Sequence, residues 1–228
     1  MGGERSRRGW AGGVALALAG VAGYLLVLRP KHLRWGATDA DLRRAMAGDE
    51  IVSRPNYLTN RAITIRARPE HIWPWLAQMG EGRGGFYSYT GIERLMGMRV
   101  VNAESILPEF QVLQVGELLG PRQRAMQVRR LVPLHALVLG PPGPQPWGDT
   151  TWSMELVPVD AQHTRLVSRT RARFRPGLGN ALVRLLLDPG QPIMERRWLL
   201  GVKQRAERTA REARALQRGE HRPPPARA

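Results

Sequence analysis

The sequence predicts an α+β domain in which an antiparallel sheet packs against a long C-terminal helix. Residues Arg165–Phe174 alternate between two kinds of side chain, which is the period of a β-strand. Met194, Trp198 and Val202 recur at every fourth residue, as on one face of a helix. In addition, the uncharged stretch Trp10–Leu28 predicts a transmembrane helix in front of this domain.

The stretch Trp10–Leu28 is long enough to span the hydrocarbon core of a bilayer, which is about 30 Å thick. A basic tail at residues 1–9 precedes it, and Arg29 and Lys31 follow it, so the flanking charges do not fix its orientation. A cleaved signal peptide is the alternative, because small residues such as Ala22 suit a signal peptidase. Because the stretch is long for a signal core, we expect a retained single-pass anchor in a bacterial cell membrane.

Three parts follow this predicted helix. Residues 29–59 form a polar lead-in, residues 60–218 form the folded domain, and residues 219–228 form a disordered tail. The lead-in carries acidic residues that offset its arginines: Asp39, Asp41, Asp49 and Glu50.

The folded domain begins with a strand and two short helices. Arg61–Ala67 alternates as a half-buried strand does. Pro69–Met79 has helical spacing and ends before a glycine. Thr90 and Glu93 are spaced as in a capping box, which predicts a second helix that ends near Gly97.

Further strands lead to the C-terminal helix. They are Glu117–Leu119, Met126–Val132, Ala136–Leu139 and Thr150–Val157. In Arg165–Phe174 the arginines share one face, which we expect to meet water, whereas the other face carries mostly small side chains. A short apolar helix, Leu178–Leu187, precedes the long helix from Gln191 to about Arg218.

Three glycines, Gly80, Gly82 and Gly85, fit the G-x-G-x-x-G pattern of a dinucleotide-binding loop. That loop requires a strand before the glycines and a helix directly after them, so that amide groups face a pyrophosphate. Here the helix Pro69–Met79 runs into the glycines instead. The pattern therefore predicts a tight turn between two helices.

Composition excludes several classes of site. The chain has 228 residues and no cysteine, which excludes disulfides and thiolate chemistry. A net charge of +16 suits nucleic acid or an anionic membrane surface, but the arginines are scattered and no nucleic-acid-binding motif accompanies them. The histidines are isolated and no G-x-S-x-G elbow is present. We therefore expect no nucleic-acid partner, no metal and no cofactor.

Several segments resemble the START-like or Bet v 1-like superfamily, also called SRPBCC, and within it a membrane-anchored bacterial branch. The segments are WGATDAD at Trp35–Asp41, AGDE at Ala47–Glu50, Arg61–Tyr89 with its GRGGFYSY core, ILPEFQ at Ile106–Gln111 and RRWLLGVKQRAE at Arg196–Glu207. The superfamily includes polyketide cyclase/dehydrase and lipid-transport proteins. The resemblance implies a helix-grip fold, in which a curved antiparallel sheet surrounds the C-terminal helix and leaves an apolar cavity.

If this resemblance holds, a hydrophobic ligand would contact residues on the inner strand face, the long helix and the glycine turn. The candidates are Trp73, Phe86, Tyr87, Tyr89, Trp152, Met154, Ser168, Thr170, Met194 and Trp198. The same side chains could instead fill a core. Arg83 is a candidate polar anchor for a carboxylate or phosphate, although it could equally be a solvated arginine.

We expect a membrane-tethered domain that binds or carries a hydrophobic molecule, such as a lipid or an isoprenoid-like compound, without covalent chemistry. One alternative is a cyclase/dehydrase-type enzyme that acts on a hydrophobic carbonyl compound. For this role Glu81, Glu93, Glu104 and Glu109 supply carboxyl groups near the turn, provided that burial raises the pKa of one of them. The other alternative is an adaptor with a filled core. A protein partner cannot be identified from the sequence.

Overall fold

A computed structural model describes residues 19–121 and 125–219 of the chain. Its centre is a curved sheet of six antiparallel strands in the order β1-β6-β5-β4-β3-β2, so that the first and last strands are neighbours. The strands are β1 (Tyr57–Ile65), β2 (Leu118–Leu119), β3 (Met126–Val132), β4 (Ala136–Gly140), β5 (Gly148–Pro158) and β6 (Thr164–Phe174). Each strand predicted from the sequence is present, with bounds that differ by a few residues.

Five α-helices accompany the sheet within the described residues, in addition to the helical residues 19–23 at their N-terminal end. The five are α1 (Arg29–Leu33), α2 (Asp39–Arg43), α3 (Pro69–Ala77), α4 (Thr90–Leu95) and α5 (Leu178–Gln217). The last helix is continuous over 40 residues, so the two helices predicted there are one. Pro189 and Pro192 lack the amide N–H that an interior residue donates, which makes this helix look interrupted in the sequence. The strand order and this C-terminal helix confirm the predicted helix-grip architecture.

The N-terminal part is only partly described. Residues 19–23 are helical and Tyr24–Leu28 form a π-helical segment. Within the described residues, no helix has both the length and the apolar composition that a membrane crossing requires. Residues 10–18 of the predicted transmembrane helix, the basic tail at 1–9 and residues 220–228 lie outside the described part of the chain.

The hydrophobic core lies between the inner face of the sheet and α5, and α3 packs against both. Gly201 of α5 touches the loop that precedes α4: a Cβ atom there would lie 2.3 Å from the carbonyl oxygen of Tyr87. Tyr87 itself has a positive φ of 54°, which is uncommon for a residue other than glycine. The side chain of Asn102 accepts a hydrogen bond from the Tyr87 amide at 2.6 Å and holds this conformation.

Most of the outer face of β6 is shielded from water, contrary to the expectation from the sequence; of its arginines only Arg173, near the end of the strand, is exposed. Residues 34–53, which we call the N-terminal strap, cover it. Arg169 is only 3% exposed and donates to the carboxylate of Asp49 at 2.6 Å, while Arg165 donates to Asp41 at 2.6 Å. The alternation of side chains identifies two faces of a strand, but it does not show what covers each face.

Apolar contacts, a backbone hydrogen bond and a close backbone approach also attach the strap to the sheet. Met46 packs against Ala62 of β1 and Val167 of β6. The Ala62 amide donates to the carbonyl of Trp35 at 3.1 Å. Gly36 comes so close that a Cβ atom would lie 2.1 Å from the Ala62 carbonyl oxygen, and its φ of +69° also favours glycine. The WGATDAD segment therefore serves to attach the strap to the sheet.

Asp41 is the strap residue for which we predict an effect of pH on stability. Burial alone would raise its pKa, but hydrogen bonds from Arg165 and Thr38 lower the pKa of Asp41 from 3.8 to about 2. A lowered pKa contributes stability above the unfolded value, and this stability is lost as the pH falls from about 4 towards about 2. Asp41→Asn should therefore lower the free energy of unfolding at pH 7 by about 2 kcal/mol, measured by urea denaturation.

The matched control is Asp39→Asn in the same helix. Asp39 pairs with Arg34, but its side chain is 71% exposed. Exposed ion pairs contribute little, so this variant should change the free energy of unfolding by less than about 0.5 kcal/mol. Equal effects of the two substitutions would contradict the role of Asp41 in holding the strap.

Candidate functional site

A cavity of about 320 Å³ lies between the inner face of the sheet and α5. The sheet contributes Met126, Thr150, Trp152 and Thr170. The helix contributes Gln191, Met194, Glu195 and Trp198. The segment around α4 lines the remaining side with Phe86, Ser88, Glu93 and Met98. Most of the exposed wall is apolar, and the cavity is open to the surface on one side.

Two tryptophans with fixed ring orientations meet in this wall. The rings of Trp152 and Trp198 make an edge-to-face contact with centroids 4.8 Å apart. Trp152 Nε1 donates to the Ser168 hydroxyl at 2.8 Å, and Trp198 Nε1 lies 2.9 Å from the sulfur of Met79. This part of the cavity is therefore formed by the protein itself and does not need a ligand to shape it.

A buried ion pair joins the cavity wall to the strand β1. Arg61 of β1, which is fully buried, pairs with Glu195 of α5. Arg61 also donates to the carbonyl of His32 at 3.0 Å, and the Ser168 hydroxyl donates to Glu195 at 2.6 Å. Burial raises the pKa of Glu195, while the charge of Arg61 and the hydrogen bonds from Ser168 and Arg61 oppose that rise.

Glu93 is a second carboxyl group in the wall, and it has no such partner. Its side chain is fully buried, and neither carboxylate oxygen has a hydrogen-bond partner within the described part of the chain. Burial raises the pKa of Glu93. An unsatisfied buried polar group costs about 1–3 kcal/mol, so this side chain is unfavourable for folding unless a ligand satisfies it.

The position of Glu93 also shows that the predicted capping box is wrong. The helix α4 begins at Thr90 itself, the preceding Tyr89 occupies the N-cap position, and no side chain caps the helix. The Thr90 hydroxyl accepts a hydrogen bond from Asn102 at 3.2 Å. Glu93 is thus one position further into the helix than a capping residue would be, and the residue lines the cavity.

Five of the ten residues proposed from the sequence as ligand contacts line the cavity: Phe86, Trp152, Thr170, Met194 and Trp198. Ser168 lies behind them, where it bonds to Trp152 and Glu195. Met154 and Trp73 belong to the buried core. The sequence therefore identifies the strands and the helix that border the cavity, but which residues line it and which belong to the core depends on the three-dimensional packing.

Three candidates in or near the glycine turn, Arg83, Tyr87 and Tyr89, do not line the cavity. Tyr87 is buried, and its hydroxyl donates to the Trp75 carbonyl at 3.0 Å. Tyr89 is 43% exposed and lies under the guanidinium group of Arg197 in a surface groove. Arg83 donates to Glu117 at 2.8 Å and stacks on Phe110, so it fixes the turn to the segment that precedes β2.

Seven residues that line the cavity were not among the ten proposed ligand contacts, although Glu93 was one of the four candidate acids. The seven are Ser88, Glu93, Met98, Met126, Thr150, Gln191 and Glu195. Two of them had a usable signal: Glu195 follows Met194 and lies three residues before Trp198, so it shares their helical face, and Thr150 has the same strand parity as Trp152. Met98 and Ser88 lie in irregular segments without periodicity, so no sequence pattern could assign their direction.

Loss of Arg61 should destabilise the protein strongly, because it leaves Glu195 as a buried charge without a partner. Arg61→Met should lower the free energy of unfolding at pH 7 by about 3 kcal/mol. The loss should shrink as the pH falls, because the carboxyl group of Glu195 then becomes protonated and neutral. Urea denaturation at several pH values measures both effects.

Two further variants test this interpretation. Arg61→Met combined with Glu195→Met removes both charges and should recover much of the stability lost in the single variant. Arg68→Met, which removes an exposed pair with Glu70, should cost less than about 0.5 kcal/mol. If the double variant loses as much free energy of unfolding as the two single variants lose together, the two residues do not depend on each other.

Comparisons with known proteins reveal related structures only. No family model matches the sequence, and no curated protein matches it. An aromatase/cyclase from Streptomyces sp. R1128 is 17% identical over 69% of this chain and 97% of its own, with a TM-score of 0.42. The Aha1 dimer from Colwellia psychrerythraea is 18% identical over 66% of this chain and 96% of its own, with a TM-score of 0.39.

A protein from Mesorhizobium loti is 17% identical over 67% of this chain and 98% of its own, with a TM-score of 0.40. All three neighbours are less than 25% identical to this chain, with TM-scores below 0.5. At this level of similarity they carry no argument about function. The fold rests on the strand order and on α5, and the function has to be argued from the cavity of this chain.

Proposed function

We propose that the protein binds a hydrophobic small molecule in the cavity between the sheet and α5. The observation that supports this proposal is an apolar space of about 320 Å³ that the protein's own side chains leave empty. Protein interiors are normally packed to the density of organic crystals and contain few voids larger than a water molecule. A filled core, as expected for the adaptor alternative, would not contain such a space.

The size of the cavity restricts the ligand. Ligand sites range from about 300 to 1,000 Å³, so 320 Å³ is at the lower end. At about 30 Å³ for each water-sized group, the cavity accommodates about ten such groups. A compact ring system or a short isoprenoid-like molecule fits this space, whereas a complete two-chain phospholipid is several times too large.

The cyclase/dehydrase-type enzyme is a second candidate, and Glu93 favours it. Burial raises the pKa of Glu93, so this acid keeps its proton to a higher pH than an exposed one, and a protonated acid can polarise a carbonyl group. The hydrophobic wall around it would exclude water from a reactive carbonyl compound. Turnover of a bound carbonyl compound, followed by mass spectrometry, distinguishes this enzyme from a simple binding protein.

Membrane tethering remains part of the proposal on the strength of the sequence of Trp10–Leu28. Apolar side chains near the end of that stretch are exposed, at 52% for Val21, 77% for Leu26 and 54% for Val27. Such an anchor would keep the cavity close to the bilayer, where hydrophobic molecules are concentrated. N-terminal sequencing of the mature chain tests it, because a first residue near Gly23 would indicate a cleaved signal peptide.

The cavity can be blocked by one substitution at its rim. Met98 lines the cavity and also a surface groove. We expect Met98→Trp to reduce the affinity for the neutral fluorescent probe N-phenyl-1-naphthylamine at least about tenfold, because the larger ring occupies the space that the probe needs. Fluorescence titration measures the affinity.

Met96→Trp is the matched control for this experiment. Met96 lies two residues away, is 58% exposed and does not line the cavity. This variant should bind the probe as the natural protein does. Failure of the natural protein to bind the probe, together with native mass spectra that show no co-purified small molecule, would contradict the proposed function.

A further inference from the structure

Glu93 differs from every other polar side chain in the wall because the protein supplies it with no hydrogen bond. The Ser88 hydroxyl donates to the Met194 carbonyl at 3.0 Å, and the Thr150 hydroxyl donates to the Arg171 carbonyl at 3.1 Å. The remaining bonds are Gln191 with Tyr57 and Thr170, Trp152 with Ser168, and Glu195 with Arg61 and Ser168. Among the described lining residues, Glu93 alone has polar atoms without a partner.

The two carboxyl groups of the wall, Glu195 and Glu93, differ in the partners that the protein provides. Glu195 receives a buried cation, Arg61, which stabilises its ionised form. No ion pair reaches Glu93 among the described residues, and burial is the cause of its pKa rise. A buried carboxyl group without a cation avoids the cost of a buried charge by keeping its proton. A protonated carboxyl group carries one O–H donor.

We infer that the occupant of the cavity is an uncharged molecule with a carbonyl-type oxygen, and that the Glu93 carboxylic acid donates a hydrogen bond to that oxygen. This inference rests on the proposed function and adds the chemical class of the ligand. Its basis is a fully buried acid without a hydrogen-bond partner, in a cavity wall whose exposed surface is mostly apolar.

An amine ligand, which would pair with an ionised Glu93, fits the surroundings less well. Arg94 is the next residue of α4, and Arg99 lies in the groove that shares Met98 with the cavity. The whole chain carries a net charge of +16. These positive charges disfavour the approach and the binding of a cation, whereas they leave an uncharged ligand unaffected.

The protonation of Glu93 predicts how binding depends on pH. Arg94 follows Glu93 on its own helix, Arg99 lies in the following loop, and Glu195 of α5, with Arg61 behind it, lines the same cavity; burial alone, and none of these charges, accounts for the pKa rise of Glu93. Because burial raises the pKa of Glu93, the donor is present at low pH and is lost as the pH rises through that raised value. Affinity for a carbonyl ligand should fall over the same range.

Three naphthalene probes of nearly equal size test the inference: 2-acetylnaphthalene, 2-ethylnaphthalene and 1-(2-naphthyl)ethylamine. Each probe competes with N-phenyl-1-naphthylamine for the full-length protein. The ketone should bind roughly tenfold more tightly than the hydrocarbon, as expected for one neutral hydrogen bond in a dry site. The amine should bind more weakly than the ketone.

Two variants identify Glu93 as the donor. Glu93→Gln keeps an N–H donor of similar size, so it should retain the preference for the ketone but lose its pH dependence. Glu93→Leu has no donor and should bind the ketone and the hydrocarbon equally. Glu93→Leu should also unfold at the same temperature as the natural protein or higher, because it removes an unsatisfied buried group.

The outcomes separate this inference from the proposed function. Binding of the fluorescent probe without a preference for the ketone would overturn the inference and leave the proposed function intact. Tighter binding of the amine, or a ketone preference that survives in Glu93→Leu, would also overturn it. If neither the fluorescent probe nor any naphthalene binds, both fail.

Discussion

Arg61 and Glu195 join the first strand to the C-terminal helix at a place where water has little access, so each charge depends on the other. Because β1 pairs with β6, the same carboxyl group also reaches Ser168, and Ser168 in turn holds the ring of Trp152. The ion pair therefore connects β1 to α5, and the Ser168 hydroxyl connects Glu195 to the Trp152 indole in the cavity wall. Apolar packing alone favours the closest approach of sheet and helix. These polar bonds have preferred lengths, and they fix a separation at which space remains.

Arginine has two different roles in the sheet. On the inner face, Arg61 neutralises an acid of the helix. On the outer face, Arg165 and Arg169 bind the carboxylates and carbonyl oxygens of the N-terminal strap. Arginine suits both places because its planar group carries several donors in a fixed arrangement. Part of the positive charge that suggests a nucleic-acid or membrane partner is therefore used inside the fold.

The sequence predicts the sheet and the long helix well because each has a strong period. The alternation in β6 and the fourfold spacing of Met194, Trp198 and Val202 follow directly from the geometry of strands and helices. The cover over the arginine face could not be predicted, because the strap has no regular period and binds largely through backbone carbonyls. Glu93 was predicted both as a capping residue and as one of four candidate acids, and the capping prediction is wrong. Its spacing from Thr90 fits a capping box. In the structure α4 begins at Thr90 itself, so Glu93 is not a capping residue, and it lines the cavity instead.

The two faces of the strand β6 have different surroundings. Ser168 and Thr170 face the helix and the cavity, whereas Arg165 and Arg169 face the strap. Insertion or deletion of one residue in this strand would exchange the two sets, placing guanidinium groups against the apolar space and hydroxyl groups against the acids of the strap. During evolution, length changes should therefore be rare within β6 and should accumulate in the proline-rich connection at residues 141–146, where neither side is constrained.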